Sequence, residues 1–337
     1  VSPLQGEKPM RRLFFGLLAA LLLMPVSILS VLAAQDATPA SGLADADVPQ
    51  LDVTLTATGY EGIPDQVEAG RYLVSLTLEE GASEFGGGVS FVQPPADISA
   101  EDFLVAYMTP SDESGVGEAA ATPIEGGVAT PAEGEGEMGG LPSFLFEATY
   151  AGGTYSFAGG VTEVVLDLTP GEWIAWTDDF EAPQEPVFFE VTGEMPAELT
   201  EPESSATITM GEYVIEVTEG ELTSGSQVIR IDNIGAQPHF LAWFGLPEGT
   251  TEEQIQTVLD EEMQAEMTGT PAAFSDLNPD EDFMPVVFTA TQSSNTSIWI
   301  TVDLEAGTHG LACFFPDLSD GMPHAYHGMY TVIEVAE

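Results

Sequence analysis

The sequence predicts an all-β protein that consists of two tandem β-sandwich domains, each with one short helix. Its 35 glycines and 24 prolines supply the many turns that an all-β fold requires. Both halves contain short segments of alternating polar and apolar residues bounded by Gly, Pro and Asp, which is typical of strands. Examples are residues 213–218, 227–232, 297–304 and 330–335. A long internal repeat is the third observation.

The repeat is visible in two pairs of stretches. Residues 162–176 resemble residues 298–312, and residues 89–103 resemble residues 241–255. A period of about 140 residues indicates tandem domains, because the repeats of a solenoid are much shorter.

One helix is expected in each half, after a turn that contains proline. In the second half, residues 250–254 offer a capping box at the start of a helix. The apolar residues that follow at helical spacing are Ile255, Val258, Leu259 and Met263.

These patterns divide the chain into five segments. We expect a signal peptide or N-terminal anchor over 1–34, a polar leader over 35–48, the first sandwich over 49–193, a linker over 194–204 and the second sandwich over 205–337. The first sandwich carries a Gly-, Glu-, Ala- and Pro-rich stretch over 109–143, which we expect to be a disordered insertion.

The first 34 residues indicate export. Met10, Arg11 and Arg12 precede an apolar stretch over 13–34 that has small residues near its end, as a cleavable signal peptide does. The stretch is also long enough to stay in a membrane as an anchor. We therefore expect a secreted or extracytoplasmic protein, in a periplasm or at a cell surface.

The charge balance is strongly acidic. The chain has 56 acidic and 5 basic residues, a formal net charge of -51, and only Arg71 and Arg230 lie beyond the signal segment. Such a surface repels phosphate backbones and anionic lipid headgroups, which excludes nucleic-acid binding and attachment to a membrane surface, apart from the N-terminal anchor. Two interpretations remain open: steering toward a basic redox partner or toward metal cations, and solubility alone.

Cys313 is the only cysteine of the chain, so it cannot form an internal disulfide. Three further donors follow it closely: His324, His327 and Met329. Thiolate, imidazole and thioether together are the donors that copper selects in electron-transfer sites.

The second half resembles the cupredoxins, the small blue-copper β-sandwiches, in the motifs around these donors. One motif is residues 233–243, in which a turn delivers His239, and the other is 307–313, a strand that ends at the cysteine. The resemblance implies one copper ion for electron transfer or copper handling. The ligands that it implies are His239, Cys313, His324 and Met329.

The match departs from the family in one loop. Ten residues, 314–323, separate Cys313 from His324, where the family has fewer. His327 is therefore an alternative to His324. A copper site requires the His239, Cys313 and second histidine donors to lie within about 4 Å of one another, since metal–ligand bonds are about 2 Å long. The alternative function is a metal-free extracellular structural or interaction protein with an inert buried thiol.

The first half contains no histidine and no cysteine, so we expect a sandwich without metal ligands. On the repeat, the positions of His239, Cys313 and Met329 fall at Gly87, Thr177 and near Glu185. We also expect no enzyme activity. A multicopper oxidase needs further copper centres built from many histidines, and this chain has four.

Overall fold

The computed structural model describes residues 42–43, 46–83, 86–108, 143–157, 160–177 and 185–337. The predicted signal peptide, most of the predicted leader and nearly all of the insertion predicted at 109–143 lie outside these residues. No helix within the described ranges is long and apolar enough to cross a membrane.

The described residues form strands and a few helices, and the order of elements is the same in both halves except for one extra strand, β3, in the first. In the first half these are β1 (Gln50–Thr56), β2 (Gly59–Glu61), β3 (Gln66–Glu68), β4 (Gly70–Leu78), β5 (Gly87–Gln93), α1 (Ala100–Met108), α2 (Phe144–Glu147), β6 (Thr149–Ser156), β7 (Gly160–Leu168), β8 (Gly171–Trp176) and β9 (Val187–Thr192).

The second half begins with four strands and contains the longest helix described. Its elements are β10 (Ala206–Gly211), β11 (Val214–Gly220), β12 (Gly225–Asn233), β13 (Ala242–Gly245), α3 (Glu252–Thr268), α4 (Pro279–Asp282), β14 (Met284–Phe288), β15 (Thr296–Leu304), β16 (Gly307–Ala312), a 3-10 turn (His324–His327) and β17 (Tyr330–Val335).

Each half is a sandwich of two sheets with matching strand order. One sheet runs β2-β1-β4-β7 in the first half and β11-β10-β12-β15 in the second. The facing sheets run β3-β9-β8-β5-β6 and β14-β13-β16-β17. The chain passes from one sheet to the other and back, as in Greek-key sandwiches. This order confirms the predicted all-β fold of two tandem Greek-key β-sandwich domains, although each half has two helices instead of the one predicted.

The two halves share one eight-stranded sheet, because β7 pairs with β15 at their seam. The pairing is antiparallel and joins Val165 to Trp299 and Val164 to Ile300. Val164 and Ile300 occupy the same position of the sequence repeat. The halves therefore meet about a pseudo-twofold axis.

The predicted helix of the second half is α3, and it begins as the sequence indicates. The backbone N–H of Thr251 donates to Gln254 Oε1 at 3.0 Å, and the N–H of Gln254 donates to Thr251 Oγ1 at 3.4 Å. This reciprocal pair is a capping box. The helix has 17 residues, so it is longer than the short helix predicted.

Candidate metal centre

Three donor atoms from three different chain segments meet in the second sandwich. His239 Nδ1 lies 2.9 Å from His324 Nδ1, and Cys313 Sγ lies 3.6 Å from the first and 3.7 Å from the second. The exposed fraction of each of these residues is 0%. The predicted distance condition is therefore met by His239, Cys313 and His324.

The long loop after Cys313 places His324 close to the cysteine because the two ends of the loop lie side by side. Residues 314–323 form a hairpin in which Pro316 and Pro323 form an isolated antiparallel bridge. The N–H of His324 then donates to the carbonyl of Phe315 at 2.9 Å. The ten-residue loop thus begins and ends at nearly the same place in the structure, so its length does not move His324 away from Cys313.

Hydrogen bonds of the backbone and of one side-chain amide hold the loop that carries His239. His239 and Gln292 exchange N–H···O bonds of 3.0 and 2.7 Å. The buried Asn233 amide donates to the carbonyls of Gln237 and Gln292 at 3.0 and 2.9 Å, and its Oδ1 accepts from the N–H of Gly235. The backbone of His239 is therefore held in place by the hydrogen bonds of its own loop.

Met329 is fully buried beside the thiol. Its carbonyl accepts a hydrogen bond from the N–H of Cys313 at 3.1 Å, and its N–H donates to the carbonyl of His324 at 3.0 Å. These contacts place the residue next to the three donors. Ligation by its sulfur stays a prediction.

The other two histidines lie outside the donor triangle. His327 is exposed, and its Nε2 lies 3.2 Å from Asp320 Oδ1. His309 is buried against Trp243, with ring nitrogens 3.1 Å from the indole nitrogen and 2.8 Å from the carbonyl of Glu305. The structure thus brings His324, and not the alternative His327, to the cysteine.

Burial determines the protonation of the three donors. It lowers the pKa of His239 to about 4 and, together with the neighbouring His239, lowers the pKa of His324 to about 4. It raises the pKa of the Cys313 thiol to about 12, although backbone N–H groups of Phe240 and Phe315 hydrogen-bond to the sulfur. Without a metal the centre therefore carries two neutral imidazoles and one thiol at neutral pH.

A carboxylate lies behind each imidazole. Glu212 Oε1 is 4.0 Å from His239 Nε2, and Asp317 Oδ2 is 3.6 Å from His324 Nε2. Both Nε2 atoms are buried without a hydrogen-bond partner in the described part of the chain. Carboxylates in this position orient metal-binding imidazoles and increase their basicity.

Asp317 is the functional residue that sequence reasoning missed. It is 1% exposed, and its Oδ2 accepts from Tyr213 and Gln237 at 2.5 and 2.8 Å. Burial alone would raise its pKa, but hydrogen bonds from Ser319, Tyr213 and Gln237 outweigh burial and lower it. Nothing marks this carboxylate in a chain with 56 acidic residues, and only the folded loop reveals it.

The donor set fits a copper ion. A point equidistant from the corners of a triangle with these three sides lies about 2.0 Å from each corner, which is the usual length of a metal–imidazole bond. Two imidazoles and a thiolate in one plane, with a thioether nearby, are the donors of blue-copper sites. With the proton of each imidazole on Nε2, both Nδ1 atoms would offer a lone pair to one cation.

Comparisons with known proteins give no sequence relative and only solved structures of low identity. No family model matches the chain, and no curated protein matches it. Reduced auracyanin from Roseiflexus castenholzii is 21% identical with a TM-score of 0.25, covering 39% of this chain and 95% of that chain. Auracyanin A, a "blue" copper protein from Chloroflexus aurantiacus, is 21% identical with a TM-score of 0.24, covering 38% and 97%.

A longer solved structure spans both sandwiches. Copper nitrite reductase from Nitrosomonas europaea is 10% identical with a TM-score of 0.21, covering 86% of this chain and 94% of that chain. Identities and TM-scores this low assign no function. The chemistry of this chain rests on its own donor geometry.

Proposed function

We propose that this chain binds one copper ion through His239 Nδ1, Cys313 Sγ and His324 Nδ1, with Met329 as a weak fourth ligand, and that it transfers electrons. The observation that carries the proposal is the buried triangle of two imidazole nitrogens and one sulfur with sides of 2.9, 3.6 and 3.7 Å. A copper ion there would supply a one-electron redox couple.

The identity of the metal follows from the donors. A soft thiolate with two imidazoles suits copper, while Mg²⁺ and Ca²⁺ prefer oxygen donors. Zinc also accepts thiolate and imidazole, but its structural sites have four strong tetrahedral ligands. Here the residue beside the three donors is a methionine, which is a weak ligand.

Burial favours electron transfer over delivery of copper to another protein. A site that releases its metal to a partner needs ligands that the partner can reach, whereas His239, Cys313 and His324 are each 0% exposed. The donors are also held by backbone hydrogen bonds from Gln292 and Phe315. A geometry that is fixed before the metal binds changes little between oxidation states, and this makes electron transfer fast.

We propose no catalytic activity, because the chain lacks the ligands for a second copper centre. Of its four histidines, two form the donor triangle. His309 uses both ring nitrogens for Trp243 and the carbonyl of Glu305, which leaves only His327. One histidine cannot build the imidazole-rich centre at which copper oxidases reduce oxygen.

We also propose export and a basic redox partner. The export proposal rests on the basic start and apolar stretch of residues 10–34. The partner proposal rests on the net charge of -51 and on two exposed carboxylates beside the centre, Glu212 and Asp320. A positively charged partner would be steered to this edge at a rate that falls with ionic strength.

Titration of the metal-free protein with Cu(II) tests the proposal. We expect an intense visible thiolate-to-copper absorption band that saturates at one equivalent of copper, together with metal analysis that finds one tightly held ion. Binding of many equivalents without a visible band would show only adventitious copper on surface carboxylates and would contradict the proposal. Saturation with one zinc ion that copper cannot replace would contradict it as well.

A further inference from the structure

We infer that the first sandwich, which has no ligand of its own, positions both histidines of the centre through residues 146–150. This inference rests on the proposed function, and it assigns a role to the half of the chain that lacks donors. The five residues lie where α2 ends and β6 begins. They reach a direct neighbour of each histidine along two separate routes.

The first route leads to His324 through Phe315. The Phe315 ring is 5% exposed, and its centroid lies 5.7 Å from that of Phe146 and 6.2 Å from that of Tyr150, in edge-to-face contacts. The same ring lies 6.0 Å from the His324 imidazole. Phe315 also accepts the N–H of His324. One side chain thus separates the ligand from the first sandwich.

The second route leads to His239 through residues 292–293. Gln292 exchanges two backbone hydrogen bonds with His239. The adjacent Ser293 donates its N–H to the carbonyl of Tyr150 at 2.9 Å, accepts the N–H of Tyr150 on its hydroxyl at 2.8 Å, and donates that hydroxyl to the carbonyl of Ala148 at 3.2 Å. The His239 loop is therefore anchored to the same five residues.

Within the second sandwich, Tyr213 and Gln237 hold the loop of residues 314–323 through Asp317, and the first sandwich adds its contacts at Phe315. Phe315 belongs to the ten-residue loop between Cys313 and His324, and packing against the first sandwich offsets part of the conformational entropy that ordering this loop costs. Aromatic pairs of this edge-to-face geometry stabilise packing beyond the burial of their surface. The first sandwich supplies two of them to one ring.

Substitution of Phe146 in the full chain tests the inference. Phe146→Ala removes one of the two aromatic contacts that the first sandwich makes with Phe315, and Phe146 is not a predicted ligand. Phe188→Ala is the matched control, because Phe188 is a 50% exposed phenylalanine on β9 of the same sandwich. For Phe146→Ala we expect copper release that is about tenfold faster or more, the range seen when groups that orient metal ligands are removed. We also expect a shifted reduction potential and a shifted visible band.

Phe188→Ala should leave the release rate, the potential and the band unchanged. If Phe146→Ala does not fold, Ser293→Ala tests the second route with the same three measurements, because it removes the hydroxyl contacts with Tyr150 and Ala148. Unchanged potential, band and release rate in Phe146→Ala or in Ser293→Ala would overturn the inference while the unaltered protein still binds copper. Absence of a visible band in the unaltered protein would instead refute the proposed function.

Discussion

The two sandwiches have the same strand order, yet only one assembles a donor triangle. In the second, Cys313 directly follows β16, and in the first Thr177 directly follows β8 at the same position of the repeat. The position of His239 is taken by Gly87. A Cβ atom at Gly87 would lie 2.3 Å from Leu55 Cδ2, so a leucine side chain occupies that space.

The difference shows that the fold provides the scaffold and a few side chains provide the chemistry. In the first half, the Leu55 side chain fills the space beside Gly87, as a close-packed interior requires. In the second half, two imidazoles and a thiol are buried together instead. Four predictions test this contrast, in order of decreasing effect.

The largest effect is expected for the thiol. Cys313→Ser should abolish the visible copper band completely. The band arises from the bond between copper and a thiolate sulfur, and serine has no sulfur. The matched control places a thiol in the other half: Thr177→Cys should produce no second copper site, since the first half has no histidine. Absorption spectra of both variants with Cu(II) check the prediction, and a second bound copper in Thr177→Cys would show that the thiol alone suffices.

The second effect separates the two histidines of the 3-10 turn. His324→Ala should weaken copper binding by more than about 100-fold, which exceeds the loss caused by groups that merely orient a ligand. His327→Ala should retain the affinity and the visible band, because His327 is exposed and contacts Asp320 instead. Competition with a copper chelator measures both. Equal losses in the two variants would show that the loop places both histidines at the metal.

The third effect concerns the seam, where both arginines of the described chain lie beside Trp299. The Arg71 guanidinium is 4.4 Å from the ring centroid and 7% exposed, whereas that of Arg230 is 5.2 Å away and 29% exposed. Arg71→Met leaves the bidentate Asp167 carboxylate unpaired and should lower the free energy of unfolding by about 2–3 kcal/mol.

Arg230→Met should lower the free energy of unfolding by about 1 kcal/mol or less, because its ion pairs are solvent-screened. Chemical denaturation of the two variants measures the difference. If the two substitutions lower the free energy of unfolding equally, the prediction is wrong, and the difference in burial between the two arginines has no effect on stability.

The last effect is the pH dependence of copper binding, which is small for each single pH unit. The pKa of the Cys313 thiol is about 12 and those of His239 and His324 are about 4, so near neutral pH the metal-free centre loses one proton when the thiolate binds copper. The apparent affinity should therefore rise about tenfold per pH unit between about pH 6 and 9. Calorimetry in buffers of different ionisation enthalpy counts the protons. Release of none or of two would contradict these protonation states.

The sequence predicted a substantial part of this account, because its strongest signals are local. The strand pattern, the capping box of α3 and the order of donors around Cys313 can all be read from short stretches. The choice between His324 and His327 could not be made, since it depends on how residues 314–323 fold. Asp317 and Phe315 were missed for a similar reason: their partners are distant in sequence. The pairing of β7 with β15 likewise joins residues that are distant in sequence, since Val164 and Ile300 are 136 positions apart.

Domain limits, export and the redox partner stay predictions, because their evidence lies in composition and in residues outside the described ranges. The centre itself is open to direct measurement.

X-ray absorption at the copper edge tests the central claim most directly, because it identifies the atoms bound to the metal. For the protein loaded with one equivalent of copper, we expect one sulfur and two nitrogen neighbours, the nitrogens at about 2.0 Å, and the loss of the sulfur neighbour in Cys313→Ser. A shell of nitrogen and oxygen atoms without sulfur would contradict a centre built on His239, Cys313 and His324.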